Sequence, residues 1–239
     1  DAMAQVLEDT HGVKTTVLSL DDFYLTRAER ECLAQRLHPL FATRGVPGTH
    51  DIGLLRHTVT ALQNGEAAEL PVFDKATDER TNMVHISQGG APSEIVLLEG
   101  WCVGIPPQPT EALEHPINST EADLDPDRIW RTAVNRFLGE EYAALFAQLD
   151  ALLVLQAPSF NEVFDWRWQQ EAKLSARFRE AHPAESDPTM TRDQIADFIL
   201  HYQRLTEHGF KSLPARADCL WELGADRSVQ RMHLTGMAA

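Results

Sequence analysis

The sequence is poor in the devices that hold a chain from outside a packed core. Its three cysteines, Cys32, Cys102 and Cys219, are widely scattered with no C-x-x-C pair. An odd, scattered set excludes a disulfide scaffold and a cysteine zinc site and points to a reducing, cytoplasmic home. No run of 18 apolar residues occurs, and "DAMAQVLEDTHG" has neither a basic n-region nor an apolar h-region, so neither a membrane span nor a signal peptide is expected. Positive charge is also scarce. Lys and Arg number 21 against 36 Asp and Glu, a formal net charge of −15, which argues against non-specific binding to nucleic acid or to an anionic membrane. Internal repeats and low-complexity tracts are missing. The Pro-rich stretch "GIPPQPTEALEHP" is too short for a domain linker, so 1–239 reads as a single domain.

What is present is an ordinary globular composition, 43% hydrophobic and 24% charged. The opening residues read as the tail of an amphipathic helix, with Gly12 where a C-cap belongs. "KTTVLSL" follows as a strand and "TRAERECLAQRL" as a helix with Thr26 at its N-cap, the β-then-α alternation of a parallel sheet. "SEIVLLEGW" (93–101) and "DALLVLQAP" (150–158) read as buried strands. "DIGLLRHTVTALQNG", "PDRIWRTAVNRFLGEEYAALFAQL", "FNEVFDWRWQQEAKLSARFREA" and "TRDQIADFILHYQRLTEHGFKSL" carry helical periodicity. "ADCLWELGADRSVQRMHL" offers one more short strand.

Two strands end in acid. In "TVLSLDDFYLT" the apolar run stops at Asp21 and Asp22; if Val17, Ser19 and Asp21 alternate on one face, Asp21 emerges at the carboxyl edge where open parallel sheets bind ligands. That is a place for a general base, although Asp is also common where a chain simply turns. "IVLLEGW" brings Glu99 to the same kind of edge, where such acids hold Mg²⁺ directly or through water. "RGVPGTHD" combines loop-stiffening Gly45, Pro47 and Gly48 with Arg44, His50 and Asp51, and Asp51 equally suits the N-cap of the following helix. "LPVFDKATDER" sets Lys75 and Arg80 beyond a short apolar run. Arg167, Lys173, Arg177 and Arg179 make the one locally basic stretch, suited to clamping a polyphosphate or to i,i+4 ion pairs on an exposed helix.

Taken in order from about Thr15 to Arg231, "LSLDDFYLT", "RGVPGTHD", "LPVFDKATDER", "IVLLEGWCVG" and "WRWQQEAKLSARF…IADFILHYQRLTEHGF" closely resemble the D-glycerate 3-kinase-like P-loop kinases, relatives of pantothenate kinase, uridine kinase and phosphoribulokinase. The resemblance implies an α/β, three-layer P-loop NTPase-like fold with a mainly parallel sheet, and phosphoryl transfer from ATP with Mg²⁺ to a hydroxyl of a small metabolite. D-glycerate or a similar hydroxy acid is the first choice of acceptor; pantothenate or a nucleoside is the alternative. By the same match Asp21 takes the hydroxyl proton, Asp22 helps order Mg²⁺ or water, and Glu99 is the acid of the Walker-B-like strand. Arg44, His50, Asp51, Lys75 and Arg80 line the acceptor pocket. Arg167, Lys173 and Arg177 fall in a phosphate-covering lid at about 161–185.

The family's G-x-x-x-x-G-K-[ST] phosphate loop is not among these residues. "HGVKTT" (11–16) lacks the upstream glycine and runs into a strand rather than a helix. The expectation is therefore an N-terminal truncation that removes the first strand and phosphate loop, leaving a chain inactive by itself. A catalytically inactive relative that serves as a binding or regulatory module is the competing expectation.

Overall fold

In the computed structural model, residues 2–75, 77–81, 85–87, 92–182, 186–187 and 189–235 are described. Positions 183–185 of the expected lid lie outside them. In chain order the elements are α1 (Ala2–His11), β1 (Thr15–Ser19), a 3-10 turn (Leu20–Phe23), α2 (Arg27–Arg36), a second 3-10 turn (Pro39–Ala42), α3 (Ile52–Asn64) and β2 (Ala68–Leu70). Then come β3 (Phe73–Asp74), β4 (Glu79–Arg80), β5 (His85–Ser87), β6 (Ile95–Glu99), a third 3-10 turn (Thr110–Leu113) and α4 (Ser119–Leu124). A helical run follows, comprising α5 (Ile129–Phe137), a π-helical turn (Leu138–Tyr142) and α6 (Ala143–Phe146). β7 (Leu153–Gln156), α7 (Phe160–Ala181), α8 (Arg192–Ser212), β8 (Cys219–Leu223) and β9 (Val229–Leu234) complete the order. Internal contacts divide the chain into two units, one formed by the residues up to Glu114 with Asp127–Gln148, the other by His115–Pro126 with the chain from Leu149 onward.

The first unit is organised by β1 and β6, which pair in parallel from Thr15↔Ile95 to Ser19↔Glu99. Helix ends follow local chemistry. Gly12 adopts a left-handed φ of 66° and donates to Glu8 O at 2.9 Å, closing α1. Thr26 and Glu29 form a reciprocal capping box on α2, the type of contact whose loss costs about 1 kcal/mol. Asp51 Oδ1 accepts from Leu54 N–H at 2.9 Å to start α3, and Gly65 ends it in the left-handed region. Leu20, Phe23, Phe41, Leu55, Leu62, Leu138 and Tyr142 are buried in this unit and form much of its core.

In the second unit, β7 pairs in parallel with β8, and β8 turns back antiparallel onto β9. The stretch read as a single closing strand is thus a hairpin. The expected third strand, Leu153–Gln156, finds its parallel partner in Cys219–Leu223 rather than in Ile95–Glu99. Val154, Ala217 and Leu220 form a small core with Leu152 and Leu213 against it. A buried ion pair, Arg204 NH2 to Glu121 Oε2 at 2.6 Å, fastens α4 to α8, and Arg204 also donates to His115 O.

Candidate active site

The site grows out of the carboxyl ends of β1 and β6. The parallel register sets Glu99 opposite Ser19, and beyond Ser19 the chain bends at once into the 3-10 turn. Leu20 and Phe23 enter the core, and the periodicity of that turn leaves Asp21 and Asp22 only partly covered. Asp21 therefore sits on a turn rather than on an alternating strand face, as the sequence alone suggested. Gly100 is required where β6 leaves the sheet, because a Cβ there would lie 2.8 Å from Leu20 Cβ.

Asp21 is held from two sides. Its Oδ1 accepts from the Tyr24 hydroxyl at 2.9 Å and its Oδ2 meets Lys75 Nζ at 2.6 Å. Burial alone would raise its pKa; the Lys75 hydrogen bond and charge, with the Tyr24 hydroxyl, outweigh burial and bring it below the usual carboxylate range. The carboxylate is thus ionised well below neutrality. Lys75 is more than half exposed, so this contact can break without leaving a buried charge.

His50 lies behind Tyr24. The two residues face each other across an antiparallel bridge, and their rings stack with centroids 4.4 Å apart. His50 is buried, and its Nδ1 lies 2.6 Å from the Tyr142 hydroxyl. Burial depresses its pKa to about 3, against an opposing pull from Asp21, so the ring is neutral at physiological pH. Its other nitrogen, Nε2, is buried without a partner among the described residues. An orphaned buried polar atom costs about 1–3 kcal/mol, and such groups mark functional sites.

Around this centre the remaining cations are tied to carboxylates. Asp78 receives Arg30 NH2 at 2.7 Å, Arg44 NH1 at very close range and Arg27 NH2 at 3.7 Å. Arg30 is fully buried and also lies over the Phe73 ring. Arg80 donates from NH2 to Tyr24 O at 2.8 Å and approaches Asp51 Oδ2 at 3.6 Å, while its Nε has no partner among the described residues. Asp51 therefore serves as helix cap and ion-pair partner at once. Asp22 Oδ1 accepts from Phe73 N–H at 3.2 Å, linking the turn to the β3–β4 hairpin that carries Lys75 at its tip.

Of the eleven residues singled out from sequence, eight lie in the first unit: Asp21, Asp22, Arg44, His50, Asp51, Lys75, Arg80 and Glu99. Contacts directly connect Asp21 with Lys75 and Asp51 with Arg80, and Tyr24 links Asp21, His50 and Arg80. Glu99 is exposed at the end of β6. Arg167, Lys173 and Arg177 lie on α7 in the second unit, where Arg167 pairs with Glu171 Oε2 at 2.6 Å and Lys173 and Arg177 are exposed. Sequence reasoning missed Tyr142, Arg30 and Asp78. A Tyr within a helical pattern gives no local signal, whereas the fixed i,i+3 spacing of Arg27 and Arg30 was available as a hint.

No family model matches the chain. It is 32% identical over 194 residues to an uncharacterised kinase, mug58, of Schizosaccharomyces pombe, across 77% of this chain and 66% of that protein. The similarity is thus to kinases, a D-glycerate 3-kinase among them. The chloroplastic D-glycerate 3-kinase of Arabidopsis thaliana is 26% identical over 200 residues, 79% of this chain and 40% of the relative. The chain thus spans less than two thirds of the length of these curated relatives. A solved D-glycerate 3-kinase from Cryptococcus neoformans shares the α/β fold of this chain with a TM-score of 0.78 at 24% identity, covering 97% of this chain and 84% of that one.

Proposed function

We propose that the protein transfers the terminal phosphoryl group of ATP to a hydroxyl of a small carboxylate-bearing acceptor, D-glycerate or a similar hydroxy acid. The observation that carries this reading is the Asp21 carboxylate, ionised and held at the end of a parallel strand by Tyr24 and Lys75. The names of the relatives support the same chemistry. Asp21 accepts the proton of the acceptor hydroxyl as that oxygen bonds to the γ-phosphorus and the bond to the β–γ bridging oxygen breaks, releasing ADP. Lys75 and Arg80 bind the acceptor's carboxylate, with Arg44, His50 and Asp51 lining its pocket.

Magnesium suits the carboxylates present. Among the described residues no three His, Cys, Asp or Glu side chains gather into a cage. Mg²⁺ commonly takes one or two carboxylates and fills its remaining positions with water and phosphate oxygens, for which exposed Glu99 and part-exposed Asp22 are fitted. When bound, the ion neutralises charge on the transferring phosphoryl group. Arg167, Lys173 and Arg177 are given the nucleotide phosphates on the resemblance of their segment alone. Among the described residues no helix is long and apolar enough to cross a membrane.

The test is ADP release by the purified full-length protein with Mg²⁺ and ATP against a panel of hydroxy acids, pantothenate and nucleosides. Turnover with a hydroxy acid is expected. Asp21→Asn is expected to lower that turnover by about two to four orders of magnitude while ATP binding persists. Near-normal turnover in the variant removes Asp21 from the role of base.

A further inference from the structure

We propose that Tyr142 is a positioning residue: it fixes His50 as the Nε2–H tautomer, so that a neutral N–H donor is held for an oxygen of the acceptor molecule beside Asp21. The proposal rests on the kinase reading of the site and assigns a role to a residue on a different stretch of chain.

The argument is a count of hydrogen-bonding positions. The Tyr142 oxygen accepts from Gly48 N–H at 3.1 Å. With that amide donating to the phenol oxygen, the phenol's own proton has one close acceptor among the described residues, His50 Nδ1 at 2.6 Å. A Nδ1 that accepts leaves the proton of a neutral imidazole on Nε2. The opposite tautomer would turn Nδ1 into a donor and orphan the phenol proton inside the core. The geometry that enforces this is built in. Tyr142 ends the π-helical turn between α5 and α6, a distortion frequent at functional sites, and it is fully buried. Gly48 reaches the phenol with a φ of 100°, and a Cβ there would lie 2.5 Å from Phe137 Cδ2, so only glycine places this N–H.

The fixed donor has no acceptor of its own among the described residues. A second orphan, Arg80 Nε, belongs to the guanidinium that donates to Tyr24 O, and Tyr24 is the residue on which His50 stacks. Two N–H groups bordering one tyrosine, both buried and both unmet, call for a ligand oxygen. Burial keeps bulk water from satisfying Nε2, so an acceptor oxygen that reaches it meets no competing solvent. Neutrality matters as well. An imidazolium beside Asp21 would stabilise the carboxylate and weaken it as a base, whereas a neutral N–H orients the acceptor without that penalty.

Long-range ¹H–¹⁵N correlation spectra of histidine-labelled protein between pH 6 and 8 report the tautomer directly. His50 is expected neutral with its proton on Nε2, and Tyr142→Phe is expected to admit the Nδ1–H form. In the kinase assay Tyr142→Phe should raise the acceptor KM about tenfold, the worth of one neutral hydrogen bond, with the ATP KM unchanged. His50→Gln carries an amide N–H that needs no tautomer, so Tyr142→Phe added to it should cost less than about twofold. An Nδ1–H tautomer in the unsubstituted protein overturns the proposal, as does an equal Tyr142→Phe effect in both backgrounds. If Tyr142→Phe fails to fold, the tautomer of the unsubstituted protein still decides. Absence of phosphoryl transfer would strike the kinase reading and leave the tautomer result standing.

Discussion

Replacing His50 with Gln makes a protonation difference between folded and unfolded chain visible as stability. In the fold His50 is buried against the Tyr24 ring and the Tyr142 hydroxyl, with Asp21 as the nearby charge, and its pKa falls to about 3. In the unfolded chain it returns to about 6.5. The sign follows from proton counting. Above the unfolded value neither state binds the proton and His50 contributes its full stability; as pH falls below about 6.5 the unfolded state takes up a proton that the folded state refuses. Each pH unit in that window then removes about 1.4 kcal/mol, so between pH 8 and pH 5 the loss is about 2 kcal/mol. Because every other titrating group is shared, the difference between the unsubstituted protein and His50→Gln isolates this component. Urea unfolding at pH 8, 7, 6 and 5 is the assay. His50→Gln is expected to be the less stable protein at pH 8, with the gap closing by about 2 kcal/mol at pH 5. A gap that stays constant with pH would mean that His50 takes up its proton inside the fold, and the account of a buried neutral ring would fail.

Two further outcomes follow from neighbouring contacts. Lys75→Met removes the one exposed cation on Asp21, and its KM for a carboxylate acceptor is expected to rise about tenfold or more while that for a neutral polyol changes less; equal effects on both would remove Lys75 from carboxylate recognition. Gly48→Ala forces a side chain at φ 100° into the Phe137 ring and is expected to cost about 2–3 kcal/mol, read by calorimetry as a fall in Tm of roughly 4–12 °C; an unchanged Tm would show that Phe137 gives way freely.

The parts of the fold legible in the sequence are those decided by neighbouring residues. Gly12, Thr26 and Asp51 each act within a turn of the helix they bound, and the helices begin and end there. The two acid-ended strands were legible for a related reason, since a run such as "IVLLE" shows a strand and its terminal charge together, and the register Ser19↔Glu99 aligns their ends. What was not legible depends on distant partners or on a one-residue change of phase. Nothing in "DALLVLQAP" names Cys219–Leu223 as its neighbour. A π turn inserts a single residue into a helix, which the 3.6-residue pattern of 129–148 absorbs without trace, and so Tyr142 was invisible. Asp78 is silent for another reason, because its three arginines come from two separate segments that only the fold brings together.

The same separation bears on how an acidic protein would recognise the anionic acceptor proposed for it. Five cations between Arg27 and Arg80 meet only three carboxylates in these contacts: Arg27, Arg30 and Arg44 on Asp78, Lys75 on Asp21, Arg80 on Asp51. Each pair fixes a side chain that would otherwise lose rotamer freedom on binding. Partial exposure at Lys75, Arg80 and Arg44 leaves these cations within reach of a ligand, whereas Arg30, wholly buried, is committed to holding Asp78. A second cation at position 50 would compete for Asp21, the carboxylate that the proposed reaction needs as a base. Keeping His50 buried and neutral resolves that conflict, because the ring then contributes direction through a single N–H and adds no charge to the side already crowded with cations.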